Sequence, residues 1–176
     1  MANIDDFKSN LIGGGARANQ FRVTITAPSG ISIPFFDLNR TSFLVKGSSL
    51  PAFTLGEIAV PFRGRSIYIA GDRSFDDTWS TTFINDTDFM IRNAFETWSN
   101  GINDLANATG VTRPIDYTVD LTVEQLDRDD TNLKSYIFRS AWPKDITAID
   151  LSSDSTDAIE EFEVTWRYQH FESSGI

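Results

Sequence analysis

Few residues of this chain belong to types that carry out covalent chemistry. It has no cysteine and a single histidine, His170, which excludes disulfides, thiolate zinc sites and a cysteine nucleophile. His170 falls in register with the inward-facing residues of a predicted final strand, so we expect it to pack in the core instead of acting as a general base. The glycines at positions 13–15 are not followed by Gly-Lys-Ser/Thr, and they indicate a flexible linker, not a phosphate loop.

Two groups of carboxylates have the residue types needed for metal binding or hydrolysis. The run at 127–130 begins like a calcium loop, but its sixth position is Asn132 and its twelfth is Phe138, which excludes an EF-hand. We interpret it as a solvated turn between two strands. Asp76 and Asp77 are adjacent, so on a strand they point to opposite faces and cannot form a glycosidase pair. We therefore predict no catalytic residue, no metal site and no cofactor, and we expect the chain not to be an enzyme.

The composition indicates one folded domain with an acidic surface. The 176 residues include 40% hydrophobic types, with 14 phenylalanines and 4 tryptophans, enough for a substantial core. Fifteen Lys and Arg against 25 Asp and Glu leave a formal charge of −10, which opposes adhesion to DNA or anionic membranes, since cations must neutralise the phosphates. The sequence shows neither a basic, apolar leader nor an apolar run of about 18 residues, so we expect a soluble protein without a membrane anchor.

Hydrophobic periodicity divides the chain into a short N-terminal arm and a β-rich domain. Residues 1–19 contain an amphipathic start and the glycine run, which we interpret as an arm with a hinge. Residues 20–172 form a single domain, in which alternating apolar and polar residues predict successive strands. These strands are expected at 20–27, 42–45, 55–62, 66–70, 75–84, 115–124, 133–142, 146–151 and 158–171.

A change of period predicts one helix, at about residues 86–100. Apolar residues recur there at helical spacing, at positions 90/91, 94/95, 98 and 102. Asp86 is the expected N-cap and Gly101 the expected C-terminal stop. Short strands around a single helix predict a mainly β fold, an antiparallel β-sandwich or barrel with one packed α-helix.

Residues 46–70 are predicted to form a hairpin that extends from the main sheet or lies along its edge. Phe62-Arg63-Gly64-Arg65 resembles the turn at its tip. Four residues in this region are unfavourable in a central ladder, namely Pro51, Gly56, Pro61 and Gly64.

Four cations lie in or near this hairpin: Lys46, Arg63, Arg65 and Arg73. Such a patch would bind either a phosphate or acidic residues on a second copy of the chain. The second interpretation suits the composition better, because copies that each carry a charge of −10 must place their few cations where carboxylates meet them.

Several short segments, taken in order, resemble the tail tube proteins of contractile-tailed bacteriophages. Leu50-Pro51 precedes a glycine-containing hairpin, a later strand ends at Asn85-Asp86, and the predicted helix carries Phe95-x-x-Trp98. The resemblance covers roughly residues 20–170. The family often has Asp-Glu where this chain has Asn85-Asp86. Such proteins are similar in fold to the tube subunits of type VI secretion and of extracellular contractile injection particles.

The resemblance implies a mechanical role without catalysis. Six copies would close into a ring, and rings would stack into a hollow tube inside a contractile sheath, through which DNA is ejected into the host. The implied partners are the sheath protein, the baseplate and tube-terminator proteins, a tape-measure protein in the lumen during assembly, and DNA that passes without specific binding. The protein would belong to the virion and be made in the host bacterial cytoplasm.

Two sets of residues become site candidates in such a tube. The four cations are expected at contacts between subunits or rings. Asp116, Asp120 and Glu124 share the polar face of the strand predicted at 115–124. We hypothesise that they line the lumen, where carboxylates would repel phosphates. An outward, solvated face is the alternative.

Two other functions remain open at this point. A tube subunit of a type VI-like or other contractile injection system would move protein instead of DNA. A ligand-binding β-sandwich would use exposed tryptophans as stacking platforms, with Trp79, Trp98 and Trp142 as candidates. Trp98 lies on the apolar stripe of the predicted helix, which favours a core position.

Overall fold

Strands with alternating apolar and polar residues make up most of the molecule. The computed structural model describes residues 3–34, 36–74 and 78–174. Its helices are α1 (Ile4–Asn10), α2 (Leu38–Phe43), α3 (Met90–Ile102) and α4 (Pro114–Tyr117), with a 3₁₀ turn at Ile12–Gly14. Its strands are β1 (Phe21–Ile25), β2 (Val45–Ser48), β3 (Thr54–Phe62), β4 (Arg65–Ser74), β5 (Thr78–Ile84), β6 (Val119–Leu126), β7 (Asn132–Ile146), β8 (Glu161–Arg167) and β9 (His170–Ser173). The predicted mainly β, antiparallel fold class is confirmed.

Seven antiparallel strands form one large sheet, in the order β1-β6-β7-β8-β5-β2, with β9 also paired to β7. The 15-residue β7 joins the two halves of this sheet, since its first part pairs with β6 and β9 and its last part with β8. Ser140, between those parts, has a φ of 53°. The two halves face each other, so that Trp79 of β5 stacks on Phe138 of β7 with ring centroids 4.4 Å apart.

Helix α3 packs its apolar side into the core between these halves. Phe95 lies with its ring centroid 5.1 Å from that of Phe83 and 5.5 Å from that of Trp166. Trp98 is fully buried, and its indole N–H donates a hydrogen bond of 2.9 Å to the carbonyl of Tyr117. The prediction of one packed helix with Trp98 in the core is confirmed.

The predicted N-cap of this helix was wrong, because α3 begins at Met90. Asp86 and Asp88 both accept hydrogen bonds from the guanidinium of Arg40, in α2. The Asp88 carboxylate also accepts the backbone N–H of Met90 at 3.1 Å. At the other end the helix continues through Gly101 to Ile102. Gly101 therefore does not stop the helix.

Two short helices occupy segments where the sequence predicted none. Asp37 caps α2 by accepting the backbone N–H of Asn39 at 2.9 Å. Helix α4 starts at Pro114, a favourable first position, so β6 begins at 119 and not at 115. Asp116 consequently lies on a helical turn, where its carbonyl accepts the Gly30 N–H at 2.8 Å. It does not share the polar face of a strand with Asp120 and Glu124, as had been predicted.

Strands β3 and β4 form a separate two-stranded hairpin. It spans Thr54–Ser74 and not 46–70, because residues 45–48 pair with β5 in the large sheet. Phe62 pairs with Arg65, so Arg63 and Gly64 form a two-residue turn with φ angles of 46° and 79°. A type I′ turn requires this left-handed backbone at both positions, and glycine adopts it without steric cost.

Candidate assembly surfaces

One face of the hairpin is apolar and exposed. Alternation along β3 and pairing with β4 place five large side chains on the same face, where each is between 40% and 56% exposed: Ile58, Val60, Phe62, Ile67 and Ile69. Isolated exposed apolar residues are ordinary, but a contiguous set of this kind marks an interaction surface. We refer to these five residues as the apolar hairpin face.

The tip of the hairpin, residues 62–65, adds positive charge to that face. Arg65 pairs with Phe62 and therefore lies on the same side, and the guanidinium carbon of Arg63 lies 5.4 Å from the centroid of the Phe62 ring. Within the described parts of the chain, neither arginine forms a salt bridge. The tip therefore presents two cations and an aromatic ring at its surface.

The other two predicted contact cations lie elsewhere, so the four do not form one basic patch. The Lys46 ammonium is 2.5 Å and 2.7 Å from the two carboxylate oxygens of Glu161. Both residues belong to the large sheet, with Lys46 on its edge strand β2 and Glu161 at the start of β8. Arg73 is near the base of the hairpin, with its guanidinium carbon 5.5 Å from the ring centroid of Phe53. The sequence could not show the Lys46 pair, whose members are 115 positions apart.

The polar face of β6 carries paired charges and not a simple row of carboxylates. One Asp120 oxygen accepts a hydrogen bond of 2.6 Å from Arg139, and the other accepts the Ser140 N–H at 3.1 Å. Arg139 also donates to Glu172 of β9 at 2.7 Å. The lumen hypothesis assumed a repulsive acidic face, and these contacts reduce its negative charge.

These contacts shift the ionisation of both carboxylates. Partial burial acts to raise the pKa of Asp120, but hydrogen bonds from Arg139 and Ser140 outweigh it and hold this pKa below its usual value. The hydrogen bond from Arg139 likewise lowers the pKa of Glu172. The pKa of Arg139 is raised in return, first by Glu172 and then by Asp120. The network is therefore fully ionised near neutral pH.

Glu124 is also partnered on this face. Its carboxylate lies 3.8 Å from the guanidinium of Arg22 in β1. It also accepts a hydrogen bond of 2.8 Å from the side chain of Asn132 in β7. Cross-strand register, which places Arg22 directly opposite Glu124, explains the first contact.

His170 is exposed, so the prediction of a core position was wrong. The strand is interrupted at 168–169, between β8 and β9, which shifts the alternation by one residue. Phe171 points toward the core instead, with its ring centroid 6.1 Å from that of Phe138. His170 Nε2 lies 3.7 Å from a carboxylate oxygen of Glu172. Asp76 and Asp77, which were predicted to point to opposite faces of a strand, lie outside the described residues.

Strands β1 and β2 lie at the two ends of the main strand order of the large sheet. Strand β1 pairs only with β6 and strand β2 only with β5 among the described strands. The exposed backbone N–H and C=O groups of an edge strand are a template for pairing with another chain. At the N-terminus, α1 buries none of its residues, and its Ile4 and Phe7 are 70% and 68% exposed.

Exposed apolar and charged surfaces are the main features that the described residues present. Residues 3–34, 36–74 and 78–174 include no group of three or more His, Asp or Glu side chains placed to hold a metal ion. No helix in these ranges is long and apolar enough to cross a membrane. Trp79 is only 3% exposed and therefore does not serve as a stacking platform. The fold and its surfaces define a mainly β protein with exposed strand edges and an exposed apolar hairpin.

The particular family follows from sequence comparison. The family model described as phage tail tube protein matches residues 16–174, and the chain belongs to this family. The tail tube protein of Serratia phage KSP90 is 30% identical over 170 residues, covering 96% of this chain and 95% of the relative. The tail tube protein gp19 of Enterobacteria phage T4 is 33% identical over 161 residues, covering 91% and 93%. The chain is a structural tail tube subunit.

Solved structures with the same fold come from contractile injection machines. A chain in the baseplate of the anti-feeding prophage aligns with a TM-score of 0.60 and 16% identity, covering 92% of this protein and 96% of that chain. A chain in the sheath-tube complex of an extracellular contractile injection system aligns with a TM-score of 0.56 and 15% identity, covering all of both chains. At these identities the likeness concerns the fold.

Proposed function

We propose that this protein forms six-membered rings that stack into the hollow tube of a contractile phage tail, through which DNA leaves the virion. The observation that carries the proposal is the exposed apolar hairpin face, which a subunit acting alone would expose to water at a cost. The edge strands β1 and β2 supply the lateral contacts within a ring, because neighbouring copies can pair strand to strand there. Lys46, on β2, belongs to this lateral surface.

The partners follow from the same arrangement. The tube is enclosed by a sheath protein, meets baseplate and terminator proteins at its ends, and holds a tape-measure protein while it is built. The solved relatives come from a sheath-tube complex, a sheath/tube terminator and a baseplate, which supports the first three partners. The protein resides in the virion after synthesis in the host bacterial cytoplasm. The curated relatives are phage proteins, which favours DNA over protein as the cargo.

The hairpin tip is the proposed contact between rings, with Arg73 at its base. Replacing both Arg63 and Arg65 by Glu reverses the charge of the tip and should abolish stacking while the subunit stays folded. The matched control is Arg63→Lys with Arg65→Lys, which keeps the charge and should still stack. Negative-stain electron microscopy measures tube length, and circular dichroism checks the fold. Tubes of normal length from the Glu variant would refute an inter-ring role of the tip.

The polar face of β6 is the proposed lumen surface, now limited to Asp120 and Glu124. Its mixture of paired charges would offer DNA no continuous row of cations to bind. Phage carrying Asp120→Lys and Glu124→Lys should assemble tubes but release DNA slowly. Asp120→Asn with Glu124→Gln is the control that removes the same negative charges without adding cations. Ejection as fast as in the control would show that this face does not meet DNA.

A further inference from the structure

A long acidic loop lies between β7 and β8. Residues 147–160, here called the acidic loop, contain Asp150, Asp154, Asp157 and Glu160 and no Lys or Arg. Loops of about 12–15 residues or more without secondary structure are uncommon in compact domains and are usually either functional loops or linker segments. The acidic loop was not among the sites predicted from the sequence, although its lack of cations is visible there.

The acidic loop also exposes apolar side chains around a depression. Leu151 is 80% exposed and Ile159 is 70% exposed. Both line a surface depression of about 330 Å³, together with Asp150 and Ser155. The end of the loop is anchored, because the buried Asn85 donates a side-chain hydrogen bond of 2.8 Å to Glu160. The loop therefore combines negative charge, apolar surface and a fixed base.

The acidic loop and the hairpin lie at opposite ends of one half of the large sheet. The hairpin joins the end of β2, Ser48, to the start of β5, Thr78, and Thr78 pairs with Arg167 at the end of β8. The acidic loop enters β8 at Glu161, which pairs with Ile84 at the far end of β5. The register of β5 with β8 thus separates the points where the two segments join the sheet by the length of a seven-residue strand, about 23 Å.

We infer that the hairpin tip of one copy docks on the acidic loop of a copy in the next ring. Phe62 would cover the exposed Leu151 and Ile159, while Arg63 and Arg65 would pair with Asp150 and Asp154. Surfaces that are complementary and lie at opposite ends of one molecule make a head-to-tail contact, which continues without closing. The inference rests on the proposed stacking of rings and names the partner surface of the hairpin.

The turn between β6 and β7 is the other acidic segment, and the structure favours the acidic loop over it. That turn contains Arg128 among its carboxylates. The Asp127 carboxylate accepts the Arg128 N–H at 2.8 Å, and Asp129 accepts hydrogen bonds from Thr131. The carboxylates of Asp127 and Asp129 are therefore already engaged locally, and this turn serves as a control.

Reciprocal charge reversal tests the contact. Asp150→Arg with Asp154→Arg should prevent stacking as Arg63→Glu with Arg65→Glu does. Combining all four substitutions should restore tubes, because the charges again attract. Asp129→Arg with Asp130→Arg is the control that adds the same charge at the other acidic turn, and it should leave stacking intact. Tube length in electron micrographs and the monomer fraction in sedimentation are the readouts.

Disulfide capture gives an independent readout, since the chain has no cysteine. Ile67→Cys, on the apolar hairpin face two residues beyond the tip, and Ser155→Cys, in the depression, place one thiol on each of the two proposed surfaces. A variant carrying both should give a ladder of linked subunits on non-reducing gels after oxidation of assembled tubes, and each single variant should not. Ile67→Cys with Ser29→Cys is the control pair, because Ser29 is not part of the acidic loop.

The outcomes separate the inference from the function on which it rests. Restored stacking in the fourfold variant, or a ladder from the double-cysteine variant, supports docking on the acidic loop. Normal tubes from Asp150→Arg with Asp154→Arg, while the arginine variant fails to stack, would overturn the inference and leave inter-ring contact by the tip standing. Normal tubes from Arg63→Glu with Arg65→Glu would reject the tip as the inter-ring contact itself.

Discussion

The apolar hairpin face permits a quantitative test of tube assembly. Ile58 and Ile69 are paired in register on this face, and each is 53% exposed. Replacing both by Thr keeps the β-branched shape that suits a strand but removes much of their apolar surface. We expect the subunit to fold normally and to assemble poorly.

The size of the effect follows from the exposed fraction. Full burial of an aliphatic side chain is worth about 1.5–3 kcal/mol, so burying the exposed half of one Ile contributes about 1 kcal/mol. The pair then contributes about 2 kcal/mol to each subunit's contact with its neighbour. Since 1.4 kcal/mol is tenfold in an equilibrium constant, the association constant should fall roughly thirtyfold.

The assay is the subunit concentration at which tubes first appear in sedimentation and negative-stain images. For Ile58→Thr with Ile69→Thr this concentration should rise by about the same factor. Ala59→Thr with Ala70→Thr, on the opposite face of the same hairpin, is the matched control and should assemble as the original protein does. An unchanged assembly concentration, or an equal rise in the control, would show that the apolar hairpin face is not buried in the tube.

Two further predictions concern the stability of the subunit. The buried indole N–H of Trp166 donates a hydrogen bond of 2.8 Å to the hydroxyl of Thr81, so Thr81→Val should lower the free energy of unfolding by about 1–3 kcal/mol. Urea unfolding measures this loss, with the half-buried Thr82→Val as the control. An equal loss in the two variants would contradict the prediction. The pKa values of Asp120 and Glu172 are lowered in the folded state. These two carboxylates therefore stabilise the fold above their unfolded pKa of about 4, and this stabilisation is lost as the pH falls through their folded pKa values. Arg139→Met should therefore flatten the fall of stability below about pH 4, and an unchanged slope in urea unfolding at several pH values would argue against the network.

Local patterns were sufficient for several elements of the fold. Alternation predicted β1, β5 and β8 with errors of a few residues at their ends. The Arg63-Gly64 turn was predicted from its residue types, because few residues tolerate a left-handed backbone. The burial of Phe95 and Trp98 followed from helical spacing. These features depend on neighbours within a few positions.

Other features depended on residues distant in sequence. Asp86 has a side chain suited to an N-cap, but its carboxylate accepts a hydrogen bond from Arg40 of α2 instead. Helix α4 displaced the predicted start of a strand, and the close approach of Asp116 to Gly30 accompanies it. Neither of these two contacts leaves a periodic pattern in the sequence, so the predicted starts of α3 and β6 were wrong.

The assembly surfaces likewise depend partly on the local sequence and partly on tertiary contacts. The sequence by itself determined the family, the antiparallel β architecture, the hairpin with its two tip arginines, and the surplus of carboxylates. Only the tertiary structure decided which charges are used within the subunit: Lys46 is neutralised by Glu161, and Asp120 by Arg139. It also placed the acidic loop at the end of the sheet opposite the hairpin. The physical reason is that strand periodicity is local, whereas pairing of charges depends on the register of strands that are distant along the chain.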